Sequence, residues 1–222
     1  MITARRLSLS FCAALSTILM AAAPTPPKPK APPAAPQKAA VGLPAPGFTL
    51  TDTDGTQHAL SDYAGKIVVL EWFNASCPFS GRQSGHAIHS TGKASTLRSQ
   101  LRAIDPTITY LVVDSTARRN TREQVIDSDK KAKAQWKIDV PILIDYDGTV
   151  GRAFKAETTP HMFVIDAAGV LRYQGAFDND QQNEKRATAT NYVLKAVQRL
   201  KEGAQPTPDS VPAWGCSVKY KR

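Results

Sequence analysis

The stretch "KIVVLEWFNASCPFSGRQSGH", residues 66–86, decides the fold. From Ile67 to Phe73 it is β-branched, aromatic and apolar on both alternating faces, the pattern of a central strand covered by helices on both sides. Cys77 falls just past that strand. Pro78 suits the first turn of a helix, where its missing N–H costs nothing. The helix is expected to run on through "STLRSQLRAI" (95–104), its first part made irregular by Gly81, Gly85 and Gly92. A thiol at such a helix start faces unpaired N–H donors and the positive end of the macrodipole, which favour the nucleophilic thiolate. A turn directly after a strand also reads as surface. Cys77 is therefore the candidate catalytic residue, against the alternative of a buried cysteine that only fills space.

Working outward, Glu71 is a carboxylate inside the apolar run. A desolvated Glu has a raised pKa and exchanges protons near neutrality, which makes it a candidate proton acceptor; the other reading is a surface Glu on an edge strand. Ser80 stands where a redox protein with paired cysteines would carry its second thiol. It cannot resolve a mixed disulfide, and its hydroxyl is read as a hydrogen-bond donor to the Cys77 thiolate.

The flanking segments complete an alternating pattern. "GFTLTDTDGTQHAL" (47–60) alternates about Asp54-Gly55 as a hairpin, giving two edge strands. "TITYLVVDS" (107–115) is a second two-sided apolar strand, followed by a helix over 121–136 capped by Asn120 or Thr121, with Glu123 in its first turn. "VPILIDYDGTVGRAF" (140–154) gives a short strand, a turn and a short helix carrying Phe154. "TTPHMFVIDAAGVLRYQGAF" (158–177) is a hairpin about Ala168-Gly169, and Tyr192, Val193, Val197 and Leu200 lie at helical spacing before Gly203. The order β-β-β-α-β-α-β-α-β-β-α is an α/β sandwich with a central mixed sheet flanked by helices. The tail, 204–222, is read as irregular, with Trp214 and Cys216 giving it something to bury.

Residues 1–23 place Arg5 and Arg6 before an apolar stretch ending on small residues, the layout of a signal peptide or, if Pro24 prevents cleavage, an N-terminal anchor. Export to the periplasm or the cell exterior is the expectation. Residues 24–46 hold nine of the sixteen prolines and no hydrophobic periodicity, a disordered linker without a core. Residues 47–203 then form the domain. The formal charge of +9 includes Arg5, Arg6, Lys28, Lys30 and Lys38, and removing these five leaves +4. Neither a basic stripe interleaved with aromatics nor a nucleic-acid-binding motif is present, so no nucleic-acid partner is expected. His86, His89 and His161 show no metal-ligand spacing with Cys77, so no metal or other cofactor is expected.

Several separated elements together resemble the thioredoxin superfamily. "VVLEWFNASCPF" at a strand end, "TTP" before "HMFVIDAAGVLRYQG", and "GFTLTDTDGTQHALSDYAGK" are similar to the redoxin branch holding AhpC/TSA and TlpA-like proteins, over residues 42–203. The wording "EWFNASCPF" with a terminal "GCSVK" looks most like its peroxiredoxin-like subgroup. The resemblance implies a thioredoxin-like fold with an N-terminal β-hairpin extension. It implies Glu71 beneath the active cysteine, and a groove in which Thr159 and a cis Pro160 meet an extended substrate beside Trp72, Pro78 and Ser80. Peroxiredoxins place their reactive cysteine where Ser80 lies, with conserved companions where Phe73 and Cys77 stand here, so the peroxide pocket is not carried over.

Three cysteines occur, and Cys12 lies within the leader. Cys77 and Cys216 remain as a candidate disulfide, which by loop entropy would stabilise the fold by about 5 kcal/mol. Two-cysteine chemistry requires Cys216 as the resolving residue. The expected function is thus an exported, peroxiredoxin-like thiol oxidoreductase acting on a thiol or disulfide protein partner or a peroxide, with membrane association through the N-terminus if the leader stays. Its rivals are a binding module fastened by a permanent Cys77–Cys216 bridge and a monothiol capture site.

Overall fold

A computed structural model describes residues 38–221. The leader and most of the linker lie outside the described residues. Thr49–Asp52 (β1) and Gln57–Ala59 (β2) form the expected hairpin, and β1 also pairs with a later strand, so only β2 lies at the edge. Val68–Trp72 (β3) is buried at every position. The chain then runs through Lys93–Ile104 (α1), Thr109–Asp114 (β4), Arg122–Gln135 (α2), Ile142–Ile144 (β5) and Thr149–Phe154 (α3). Thr158–Thr159 (β6), His161–Ile165 (β7), Leu171–Gly175 (β8), Tyr192–Lys201 (α4), Ser210–Val211 (β9) and Cys216–Ser217 (β10) follow.

The main sheet has the order β2-β1-β5-β4-β3-β7-β8-β9, and β10 pairs with β6 apart from it. β3, β4 and β5 run parallel and β7 antiparallel to β3, the mixed sheet expected of the alternating pattern. Side-chain alternation divides the core. Val69 and Phe73 face Leu97 and Leu101 of α1 and Val193 and Val197 of α4, whereas Leu70 and Trp72 face Phe48, Phe154 and Phe163. β3 lies inside the sheet between β4 and β7, and all three strands send apolar side chains into both halves of the core.

Three expectations fail. No helix begins at Pro78: residues 78–92 are turns and bends, and α1 starts at Lys93 after Gly92, whose φ of +79° is a conformation a continuing helix cannot contain. The cap of α2, by contrast, is Thr121, one of the two residues expected, with Glu123 in the first turn and Gln124 closing a capping box. The linker does not extend to residue 46: Ala39 is buried, its N–H donates to the Ala153 carbonyl, and Gly42, Leu43 and Ala45 bond the backbone of Leu171 and Gly169. Nor is the tail irregular, since it supplies β9 and β10. Among the described residues no helix is long and apolar enough to cross a membrane.

Candidate active site

Cys77 sits on the turn after β3, fixed by its N–H to the Asn74 carbonyl (3.0 Å) and by N–H donors from Ser80 and Arg82 to its own carbonyl. It is 3% exposed, so the surface position expected from the sequence is corrected. What covers it is the tail. β10 pairs antiparallel with β6 so that Cys216 stands opposite Thr159, and the Cys77 thiol donates to the Thr159 carbonyl at 3.0 Å. The Thr159–Pro160 bond is cis. Cys77 and Cys216 are both free thiols, and they lie near enough for Cys77 to influence the ionisation of Cys216.

The close approach depends on Gly215. At φ +131° it brings its backbone against β6, where a Cβ would stand 2.2 Å from the Thr159 carbonyl oxygen. Anchors on both sides hold the strand. Trp214 donates from Nε1 to the Asp178 carbonyl at 2.8 Å and meets the Phe79 ring edge-on. Beyond Cys216, Val218 N–H bonds the Glu157 carbonyl, the Lys219 carbonyl accepts from Ala117 and Arg118, and Tyr220 Oη donates to the Ala156 carbonyl.

Burial, together with the Cys216 thiol's own hydrogen bond toward Cys77 and the charge that sulfur carries when ionised, pushes the Cys216 thiol up to about 11; Lys219 opposes the shift. A thiol so shifted stays protonated near neutral pH and must lose its proton before it can attack.

Glu71 is fully buried, and both oxygens are engaged: Oε1 with His89 Nε2 at 2.7 Å, Oε2 by the Tyr110 hydroxyl at 2.6 Å. Burial pushes its carboxyl up, but the charge and hydrogen bond of His89, with help from Tyr110 and Arg98, outweigh that and hold it below the usual range. The raised pKa expected from the sequence is therefore reversed, because the turn segment before α1 and strand β4 supply partners, His89 and Tyr110, that β3 does not reveal. His89 is the residue the sequence reading missed. A carboxylate at the centre of a buried strand demands a cation or donors, and that demand was the available signal.

The groove residues fare unequally. Trp72 is wholly in the core, donating from Nε1 to Ser115 Oγ at 3.0 Å and packing on Phe154 and Phe163, so it cannot line a groove. Ser80 is wholly buried and its Oγ has no hydrogen-bond partner, so the expected bond to Cys77 is absent. Pro78 is half-buried beside Cys77, and its carbonyl accepts from Ser84 Oγ. Thr159 and Pro160 meet the tail itself. Of the histidines, His86 bonds the Gln182 carbonyl, and burial pushes His161 down to about 4. No group of three or more His, Cys, Asp or Glu is placed to hold a metal among the described residues.

A central mixed sheet with a cysteine after its middle strand and a cis-proline loop facing it defines a thioredoxin-like protein. The chain belongs to the AhpC/TSA family, which matches residues 41–174. A thiol-disulfide oxidoreductase, ResA of Geobacillus kaustophilus, is 29% identical over 133 residues, covering 60% of this chain and 67% of the relative. An uncharacterised conserved protein from the same organism superposes with a TM-score of 0.69 at 24% identity, covering 82% of this chain and 93% of the other. The thioredoxin domain of a thiol-disulfide oxidoreductase from Bacteroides vulgatus superposes with a TM-score of 0.50 at 21% identity, covering 66% and 95%. The peroxiredoxin-like subgroup is not among these likenesses.

Proposed function

We propose that this chain is a thiol-disulfide oxidoreductase in which Cys77 is the nucleophile and Cys216 the resolving thiol. The observation that supports the reading is the β10–β6 pairing, which stands Cys216 opposite Thr159, whose carbonyl accepts from the Cys77 thiol. The Cys77 thiolate attacks one sulfur of a partner disulfide, that S–S bond breaks, and the leaving thiolate takes a proton from solvent. Cys216 then loses its proton and attacks the Cys77 sulfur, releasing the second partner thiol. The partner gains two electrons and the protein is left as the Cys77–Cys216 disulfide; the reverse sequence oxidises a partner dithiol. Thiol-disulfide exchange is favoured over peroxide reduction because Phe73 and Cys77 occupy the positions of the peroxide pocket. Glu71, held ionised by His89 and Tyr110, orders the floor of the site rather than storing a proton. The leader at 1–23 supports export, where an oxidising compartment would supply disulfide partners.

The experiment is the redox potential of the pair, read by peptide mass spectrometry without reduction after equilibration at graded dithiothreitol ratios. Exchange chemistry expects a potential between about −120 and −270 mV. A value below about −300 mV would establish a structural bridge, and failure of the two cysteines to pair would remove the dithiol reading.

A further inference from the structure

We propose that Arg118, Arg119, Lys219 and Lys221 form a cationic rim that selects partner polypeptides carrying acidic residues beside their reactive disulfide, a refinement that rests on the exchange reading above. Two segments far apart in sequence build the rim. The Ala117 and Arg118 N–H groups donate to the Lys219 carbonyl at 2.9 and 3.0 Å, locking the loop after β4 to the tail. Arg118, Arg119 and Lys219 line an open cavity of about 260 Å³, and Arg118, Arg119 and Lys221 line a second of about 330 Å³.

Among the described residues no acid forms a salt bridge with this group. Among the described residues the ion pairs use other cations, such as Arg98, Arg102, Arg172, Arg199 and Lys201. Lys219 Nζ donates to Ser217 Oγ, and Lys221 lies 5.3 Å from the centre of the Tyr146 ring, contacts that leave both charges uncompensated. Four adjacent like charges attract an anion over about 8 Å at physiological salt and can raise encounter rates tenfold or more.

The rim also borders the sulfurs. Lys219 acts electrostatically on Cys216, and on the loop side Thr116 accepts from Asn74, whose carbonyl holds the Cys77 N–H. The tail contributes Lys219 and Lys221 from the same segment as Cys216, so the rim's lysines lie three and five residues beyond the thiol. An anion drawn here is brought to a reacting disulfide. That juxtaposition favours a sulfur-bearing polypeptide over an anion with no sulfur chemistry.

The test uses the full chain and two synthetic peptides of equal length, each with one internal disulfide, flanked by Glu in one and by Lys in the other. Hydroxyethyl disulfide serves as the uncharged control, and initial reduction rates are followed at rising salt. The expected result is about tenfold faster reduction of the Glu peptide at low salt, an advantage lost at high salt and in R118E/R119E, with the hydroxyethyl disulfide rate unchanged. Equal peptide rates, or an equal effect of R118E/R119E on hydroxyethyl disulfide, would overturn the rim while leaving exchange chemistry standing. If the wild-type protein reduces none of the three, the exchange reading fails and takes the rim with it.

Discussion

At Cys216 three influences raise the pKa to about 11: burial, the hydrogen bond with Cys77, and the charge on that sulfur. The last two vanish once Cys77 enters a mixed disulfide, so the resolving thiol becomes easier to ionise at the step that needs it. Cys77→Ala mimics that loss. The pH profile of Cys216 alkylation in this variant, resolved by peptide mass, is expected to titrate below about 11; an unshifted profile would show that burial alone sets the value. Ser80 offers a second reading at this scale. Its buried hydroxyl lacks a partner, and a desolvated unpaired hydroxyl costs about 1 kcal/mol or more. Ser80→Ala is expected to raise stability in urea unfolding by about 1 kcal/mol, whereas a comparable loss would mean the hydroxyl bonds a neighbour such as Cys77.

Among the elements, β10 is a two-residue strand whose position depends on one glycine. In Gly215→Ala the added Cβ collides with the Thr159 carbonyl, so β10 must withdraw and carry Cys216 from Cys77. Oxidation of the pair, timed by trapping free thiols after addition of oxidised dithiothreitol, is expected to slow by about tenfold or more, since sub-ångström placement governs such reactions; an unchanged rate would show the pairing to be dispensable. The same strand marks where legibility ended. β3, the β7–β8 hairpin, α2 and α4 could be read because periodicity, turns and caps are local signals. β10 could not, since its partner lies 57 residues away and only the folded chain brings Thr159 to Cys216. The site was half legible for the same reason. Cys77 announced itself by following an apolar strand, while His89, Tyr110 and the tail anchors acquire their roles through tertiary contact. Gly92 misled the reading, its interruption looking like irregularity within a helix rather than the point where the helix starts.

Across the whole molecule, acids pull stability in opposite directions with pH, the buried Glu71 and the solvent-facing Asp105 on one side and three buried aspartates on the other. Glu71 and Asp105 have carboxyls held low, Glu71 by His89 and Tyr110 against its burial, Asp105 first by Lys201. Their contribution is fully present above the unfolded values and is lost as pH falls below these and through the lower folded values. Asp114, Asp129 and Asp145 do the reverse. Burial pushes Asp145 up to about 6 against hydrogen bonds from Ser115, Gly151 and Val150. Asp129 is fully buried with both oxygens unpartnered, and burial together with the charge of Asp114 drives its carboxyl upward. Two acceptor-only groups can bond each other only when one carries a proton. For an acid with a raised folded pKa, the native state binds more protons between the unfolded and folded values. Stability is therefore full at low pH and falls as pH rises through about 6, by about 3 kcal/mol for a shift the size of that at Asp145. The protein is thus expected to be more stable at about pH 5 than at pH 7.5. Asp129→Asn supplies an amide donor to the Asp114 carboxylate without a shared proton. In urea unfolding across that range, this variant is expected to show a flatter pH dependence and to exceed the wild-type protein above neutrality by about 1–3 kcal/mol. Parallel pH profiles for the two proteins would place the titration elsewhere than in the Asp114–Asp129 pair.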